Sequence, residues 1–329
     1  MPIHCIDCGN ENVQTAYIRS PKDSNITLPA DKSIPPADSY YVIVRCNNCE
    51  SIFLHPYYFN ELPLIYDEDR YYAGYFPGNI HTGGNPSLGS SRFFLLKRYL
   101  NKRKAHFFMK LAGISQRSAI RVLDFGCSQG DLVQGFIDCG CDAVGVDISK
   151  KASLEAQKRG VHIYHGHLEN VPFPDNSFDI IVSIETIEHI PYLDAVCNKI
   201  RHLLKERGML IIKVPNDVDG YRRTFFKKIW WMIPPVHVRF FTIRNIANIF
   251  GRYGFRIVAV RTSGLFGCDI ADIIRWFLEK TRIRKLQNSI FWWLCGKAIC
   301  ILFLPVDFVL NALGKHSEII VAMRKDSGS

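Results

Sequence analysis

The chain has 329 residues, 47% hydrophobic content and a formal net charge of +10, enough apolar side chain for one large α/β core with a small appendage and too much for a disordered protein. Its eleven cysteines bring a secreted disulfide scaffold to mind, but the length far exceeds such scaffolds and residues 1–10 carry no basic-then-apolar leader, so a reducing cytoplasm is the expectation. The excess charge is local: residues 221–290 hold fourteen Lys and Arg against three acidic residues. That bias points to an anionic neighbour such as a lipid headgroup, a phosphate or a nucleic acid, with a solvated basic face as the plain alternative.

At the N-terminus, Cys5-x-x-Cys8 and Cys46-x-x-Cys49 form two knuckles separated by thirty-seven residues. Each knuckle offers two thiolates in a tight turn, and together they match a four-cysteine structural zinc ribbon with no coordination position left open. A redox Cys-x-x-Cys normally comes singly at a helix start. The other seven cysteines, Cys127, Cys139, Cys141, Cys197, Cys268, Cys295 and Cys300, read as small buried hydrophobes. Residues 1–60 are therefore expected to form a zinc-ribbon-like module, 61–87 an aromatic, turn-rich linker or lid, and 88–325 the main domain.

In that domain Phe93, Leu96, Leu100, Phe107 and Leu111 recur near helical spacing, with Arg92, Lys97, Arg98, Lys102, Arg103 and Lys104 on a polar face. Strands are predicted at 121–125, 143–148, 161–165, 178–184 and 209–214, separated by helices at 132–139, 151–159 and 192–204. Strands at 255–260 and 318–323 complete the pattern. The expected fold class is α/β: a Rossmann-like, doubly wound, seven-stranded and mostly parallel sheet. The fifty-seven residues between the last two strands are too many for a bare loop, so a helical insertion is expected at 263–314.

The densest local signal is Val122-Leu-Asp-Phe-Gly-Cys-Ser-Gln-Gly-Asp131, a strand entering a glycine loop that opens a helix. Gly126 and Gly130 allow a sharp turn and close approach of backbone to a ligand. Asp147, ending the next strand, can accept hydrogen bonds from two ribose hydroxyls. A nicotinamide dinucleotide fold would carry G-x-G-x-x-G; here the spacing is G-x-x-x-G with Asp124 in front. A carboxylate facing the ligand repels a pyrophosphate and suits the cationic amino end of a methionine moiety.

Over residues 120–325 the chain resembles the class I S-adenosylmethionine (SAM)-dependent methyltransferases. Asp124, Gly126, Cys127 and Gly130 match that family's first motif, Asp147 its ribose-binding acid, residues 172–179 (PFPDNSFD) its approach to strand four and residues 208–215 its strand five. The resemblance implies SAM held by Asp124, Gly126, Cys127, Gly130, Asp147 and Ile148, with Ser183 near the end of strand four. Where the family usually has an acidic residue for the adenine amino group, this chain has His167. Glu169 can take that role, or the backbone of Leu168 can.

Strand four runs into Ser183-Ile-Glu-Thr-Ile-Glu-His-Ile190. Glu185, Glu188 and His189 lie at i, i+3 and i+4, so one helical turn would bring them to one side, and His237 after strand five offers a fourth ligand for a divalent ion such as magnesium or manganese. The element is similar to the Glu-x-x-Glu-His of plant small-RNA 2′-O-methyltransferases and ubiquinone-pathway O-methyltransferases, where the resemblance implies a metal that binds acceptor hydroxyls. Without a metal, Glu185 or His189 would serve as general base. A purely structural Glu-His turn is the plain reading of the same residues.

Residues 221–235 (YRRTFFKKIWWMIPP) interleave cations with aromatics, and 289–313 are strongly apolar but interrupted by Lys297 and Asp307. Both segments are expected to cover the active site or to lie in a membrane interface rather than span one. N-terminal ribbons of this kind occur in bacterial methyltransferases that resemble sugar and polysaccharide modifiers. The expectation is thus a cytoplasmic SAM-dependent O-methyltransferase, peripheral at the inner membrane face, acting on a hydroxylated small molecule or a glycan, free or lipid-linked. RNA 2′-O-methylation and a non-catalytic SAM- and zinc-binding protein are the rivals.

Overall fold

The computed structural model describes residues 3–19, 41–55, 91–114, 120–216, 218–220, 237–264 and 298–326. Two sheets organise them. The larger is built from β4 (Arg121–Phe125), β5 (Asp142–Asp147), β6 (Ile163–His165), β7 (Phe178–Ile184), β8 (Leu204–Pro215), β10 (Phe255–Ser263) and β11 (Glu318–Lys325), in the order β10-β11-β8-β7-β4-β5-β6. Only β11 runs against its neighbours. The seven-stranded, mostly parallel sheet is as the alternation of strands and helices predicts.

Because strand side chains alternate between faces, the sheet's apolar runs divide into two cores. Leu123, Val146, Ile181, Leu210, Ile212 and Val214 pack with α4 (Asp194–Leu203) and α5 (Ile243–Gly251). Val122, Ile180, Val182, Met209 and Ile211 pack with α1 (Ser91–Leu111) and α2 (Asp131–Ile137) on the opposite face, which also receives Ala156 of α3 (Lys150–Lys158). Both faces are covered, and each fully buried Leu, Ile or Val contributes about 1.5–3 kcal/mol.

The α1 stripe differs from expectation. Leu96, Leu100 and Phe107 are exposed, and Ala105, Phe108, Met109 and Ala112 are buried instead. The reason is a close helix contact: a Cβ at Gly135 of α2 would strike the backbone of Asn101, so α1 crosses α2 there and its buried face turns toward that crossing. Thr242 caps α5 in a reciprocal box with Asn245 and fixes where that helix begins.

The smaller sheet is antiparallel, β1 (Val13–Arg19), β2 (Tyr41–Cys46), β3 (Ile52–His55) and β9 (Arg239–Phe240), in that order. Its last strand comes from the main domain, so the expected boundary near residue 60 does not make residues 1–60 self-contained. The expected linker or lid at 61–87 and the segment 221–235 lie outside the described residues, as does most of the 263–314 insertion; α6 (Leu304–Ala312) is part of its described end. Among the described residues no helix is long and apolar enough to cross a membrane.

Candidate functional site

The strand order reverses at β4, which has β5 on one side and β7 on the other. Crossovers leave in opposite directions there, and the carboxyl ends of these strands open into the crevice where α/β sheets bind ligands. Gly126 and Gly130 both adopt left-handed backbone, φ +77° and +74°. A Cβ on Gly126 would collide with Thr186, and one on Gly130 would come within 2.8 Å of Val161. Glycine is therefore required at both turns sterically as well as conformationally.

Asp124, at the end of β4, is 3% exposed, and its carboxyl is pushed up to about 8 by burial and then by the neighbouring Asp147 charge. Asp147 is anchored: its carboxylate accepts hydrogen bonds from the Ser128 and Ser149 backbone N–H groups at 2.7 and 2.8 Å. Burial nonetheless raises its pKa, against those two bonds. Two carboxylates thus act on one another unfavourably beside a glycine loop, an arrangement that a cationic, ribose-bearing ligand would relieve.

The remaining predicted cofactor residues surround this cradle. Cys127 is buried with its Sγ against Gly145. Ile148 is exposed just beyond β5, and its carbonyl lies 3.0 Å from His165 Nε2. His167 is exposed, at the start of the short 3-10 turn Leu168–Asn170, while the Leu168 side chain is fully buried, which leaves its backbone for any adenine contact. Ser183 is buried inside β7.

The turn after β7 departs from the expected α-helical geometry. Glu185 takes left-handed backbone, φ +51°, and only Ile187–His189 form a 3-10 turn. For a residue with a Cβ that conformation costs about 1–2 kcal/mol. It leaves Glu185 out of the group its neighbours form. Glu188, His189 and His237 come together, with one ligand atom of each within 4.8 Å of the others, and the two imidazoles stand edge to face at 4.8 Å. Glu185 stays outside that set and pairs with Lys213 at 3.5 Å. Burial works against the Lys213 charge, but Glu185 and Glu318 outweigh it and hold the ammonium above its usual range.

The donor set of the trio, one buried carboxylate and two imidazoles, fits a borderline divalent cation better than magnesium, which prefers oxygen ligands and water. In the N-terminal module, Cys5, Cys8, Cys46 and Cys49 converge with all four Sγ atoms within 4.8 Å. The separations of 3.4 Å for Cys5–Cys49 and 3.6 Å for Cys8–Cys46 are too long for a disulfide. They approach the edge of about 3.8 Å that bonds of about 2.3 Å impose on a tetrahedral thiolate site. Burial opposes a thiolate at Cys8, but hydrogen bonds from the Asn10 backbone and Asn48 side chain outweigh it and lower the thiol to about 7.

Two contributors have no local signal in the sequence. Thr186 touches Gly126 and so joins the glycine loop to the Glu188–His189 turn. Arg239, 1% exposed, donates from Nη1 to both Asp7 carboxylate oxygens at 2.8 and 2.7 Å, and from Nε and Nη2 to the Ile190 and Pro191 carbonyls. Its ionic partner lies 232 positions earlier in the chain, beyond the reach of any spacing rule.

A family model described as a methyltransferase domain matches residues 96–260, half of the chain. A sterol 24-C-methyltransferase of Gibberella zeae is 32% identical over 116 residues, 32% of this chain and 30% of that protein. A probable S-adenosylmethionine-dependent methyltransferase of Mycolicibacterium smegmatis is 26% identical over 176 residues, 51% of this chain and 66% of that one. A ubiquinone biosynthesis O-methyltransferase of Bradyrhizobium is 32% identical over 104 residues, 30% and 41% of the two chains. The chain spans less than two thirds of the length of each of these relatives.

The raised Asp124 pKa sets a pH dependence of stability. The folded group titrates near 8 and an unfolded aspartate near 3.8, so folding takes up a proton between those values and stability falls as pH rises through that window. Asp124→Asn, which fixes the neutral form, is expected to gain stability over the ligand-free wild type as pH rises from 4.5 to 8.5, by at least about 1 kcal/mol across that interval, as measured by urea denaturation at both pH values.

Proposed function

Since the chain belongs to the class I S-adenosylmethionine-dependent methyltransferase family, we propose that it transfers the methyl group of SAM to a hydroxyl oxygen of a small molecule or glycan. The observation that carries this reading is the contact between Gly126 and Thr186. It sets the donor loop directly beside the turn that bears Glu188 and His189.

In this reading Asp124 receives the cationic amino end of SAM and Asp147 the ribose hydroxyls, while the left-handed Gly126 lets the backbone close on the ligand. Ile148, His167 and the Leu168 backbone border the adenine. The sulfonium is already a good leaving group, so the protein's main task is alignment in a dry site. The acceptor oxygen forms a bond to the methyl carbon as the carbon–sulfur bond breaks, which leaves S-adenosylhomocysteine. With no cation bound the hydroxyl proton passes to His189 or His237; where those imidazoles hold one, Glu185 on the same turn is the remaining base.

Glu188, His189 and His237 would hold a divalent cation; of the two expected ions magnesium suits two imidazoles less, since it keeps oxygen ligands and water. When bound, such an ion lowers the pKa of an acceptor hydroxyl. The cysteine cluster would hold a structural zinc. The names of the relatives, a sterol C-methyltransferase and a ubiquinone-pathway O-methyltransferase among them, favour a small-molecule acceptor over RNA. They also admit carbon as the acceptor atom. Contact with an anionic membrane surface, which a cytoplasmic enzyme would make at the inner face, is supported by the apolar exposure of Ile301, Leu302 and Phe308 and the basic excess of residues 221–290.

Calorimetry is expected to detect SAM binding, and radiolabelled SAM presented with phenols, sterols, glycans and RNA should label a hydroxylated non-RNA acceptor. His237→Ala is expected to lower kcat at least tenfold while changing SAM affinity less than about twofold. Manganese should restore turnover to metal-depleted protein whose zinc content is unchanged. Absence of SAM binding would end the proposal, and full turnover without a divalent ion would remove the metal from it.

Elemental analysis is expected to give one zinc per chain, with Cys46→Ser losing most of it and the cooperativity of unfolding of the small sheet. For the membrane reading, the protein should sediment with anionic vesicles at low salt and be released by high salt. An unchanged supernatant fraction would count against that contact.

A further inference from the structure

The small sheet and the Glu188–His189–His237 cluster meet through one side chain. Arg239 lies on β9 two residues beyond His237, and β9 pairs with β3 of the cysteine module, Phe53 opposite Arg239. Its guanidinium grips Asp7, which lies between Cys5 and Cys8 and also accepts the Ser51 hydroxyl. The opposite edge of the same guanidinium holds the carbonyls of Ile190 and Pro191, the residues directly after Glu188–His189. Two backbone bonds run in parallel: Val238 N–H donates to the Glu188 carbonyl at 3.0 Å and Leu54 N–H donates to the Val238 carbonyl at 3.0 Å.

A buried guanidinium with both ends satisfied has essentially one geometry, because its donors form a planar fork. Nothing about a ribbon that only stabilised the N-terminus would require that fork to reach the turn after β7. We propose that Arg239 is a positioning residue: through it, the cysteine knuckle fixes the spacing of Glu188 and His189 on one strand end and His237 on another. Metal occupancy of the cysteines is then read out at the cluster through that guanidinium. The proposal requires that the two histidines be coupled to the ribbon; it does not require that the cluster hold a cation or that the acceptor be a hydroxyl.

Two readouts on the full chain test it. The first is hydrogen exchange by mass spectrometry before and after chelator strips the cysteine-bound metal. Amides of 187–191 and 237–241 are expected to exchange at least tenfold faster in the stripped protein, with 121–127 unchanged. The second is the imidazole nitrogen spectrum. Stripping should shift the His189 and His237 signals in wild type and much less in Arg239→Gln, where only the two backbone bonds remain. Arg239→Lys, which keeps the charge on Asp7 but cannot fork to the carbonyls, should resemble Arg239→Gln. If Arg239→Gln fails to fold, Asp7→Asn, which weakens the same grip from the ribbon side, replaces it with the same expectation. Faster exchange confined to residues 3–12 and 42–55, with unshifted histidine signals, would overturn the proposal, as would stripping-induced shifts of equal size in wild type and variant.

Discussion

Everything at the site follows from the reversal of strand order at β4. Crossovers diverge on either side of that strand, so the ends of β4, β5 and β7 are left open toward one crevice. The donor loop, Asp147 and the Glu188–His189 turn each sit at one of those ends. The chemistry is concentrated there because the backbone leaves room there.

The crevice is built at a cost. Two carboxylates lie close together with little solvent, one of them held neutral to near pH 8, and Glu185 keeps a backbone conformation that side chains disfavour. Such features persist only where the surrounding core over-determines them, and here two apolar clusters on opposite faces of one sheet do so. A positively charged ligand reverses the sign of the first cost, which makes the empty cradle less comfortable than the filled one.

Much of this was legible in the sequence, for reasons that differ by residue. Strand and helix alternation follows from apolar periodicity, and Gly126 and Gly130 are recognisable because few other residues can turn the chain so sharply. The cysteine knuckles declare themselves by spacing alone. The Glu185 placement did not, since i, i+3, i+4 spacing gathers side chains only on an α-helix and the chain forms a 3-10 turn after a left-handed residue. The α1 stripe failed for a related reason: its buried face is set by the crossing at Gly135, which no one-dimensional pattern records. Arg239 and Asp7 are individually unremarkable charged residues, and only the fold makes them partners.

The borrowed strand β9 has a consequence for how such proteins can be recombined. A gene that exchanged its first sixty codons for those of an unrelated module would keep the catalytic sheet whole, yet strand Arg239–Phe240 would lose its pairing edge and a guanidinium would be stranded in an apolar interior. Removing one member of such a pair costs about 3–5 kcal/mol, a large share of what holds a domain folded. The N-terminal segment and the stretch around residue 239 must therefore be inherited together, although more than two hundred positions separate them.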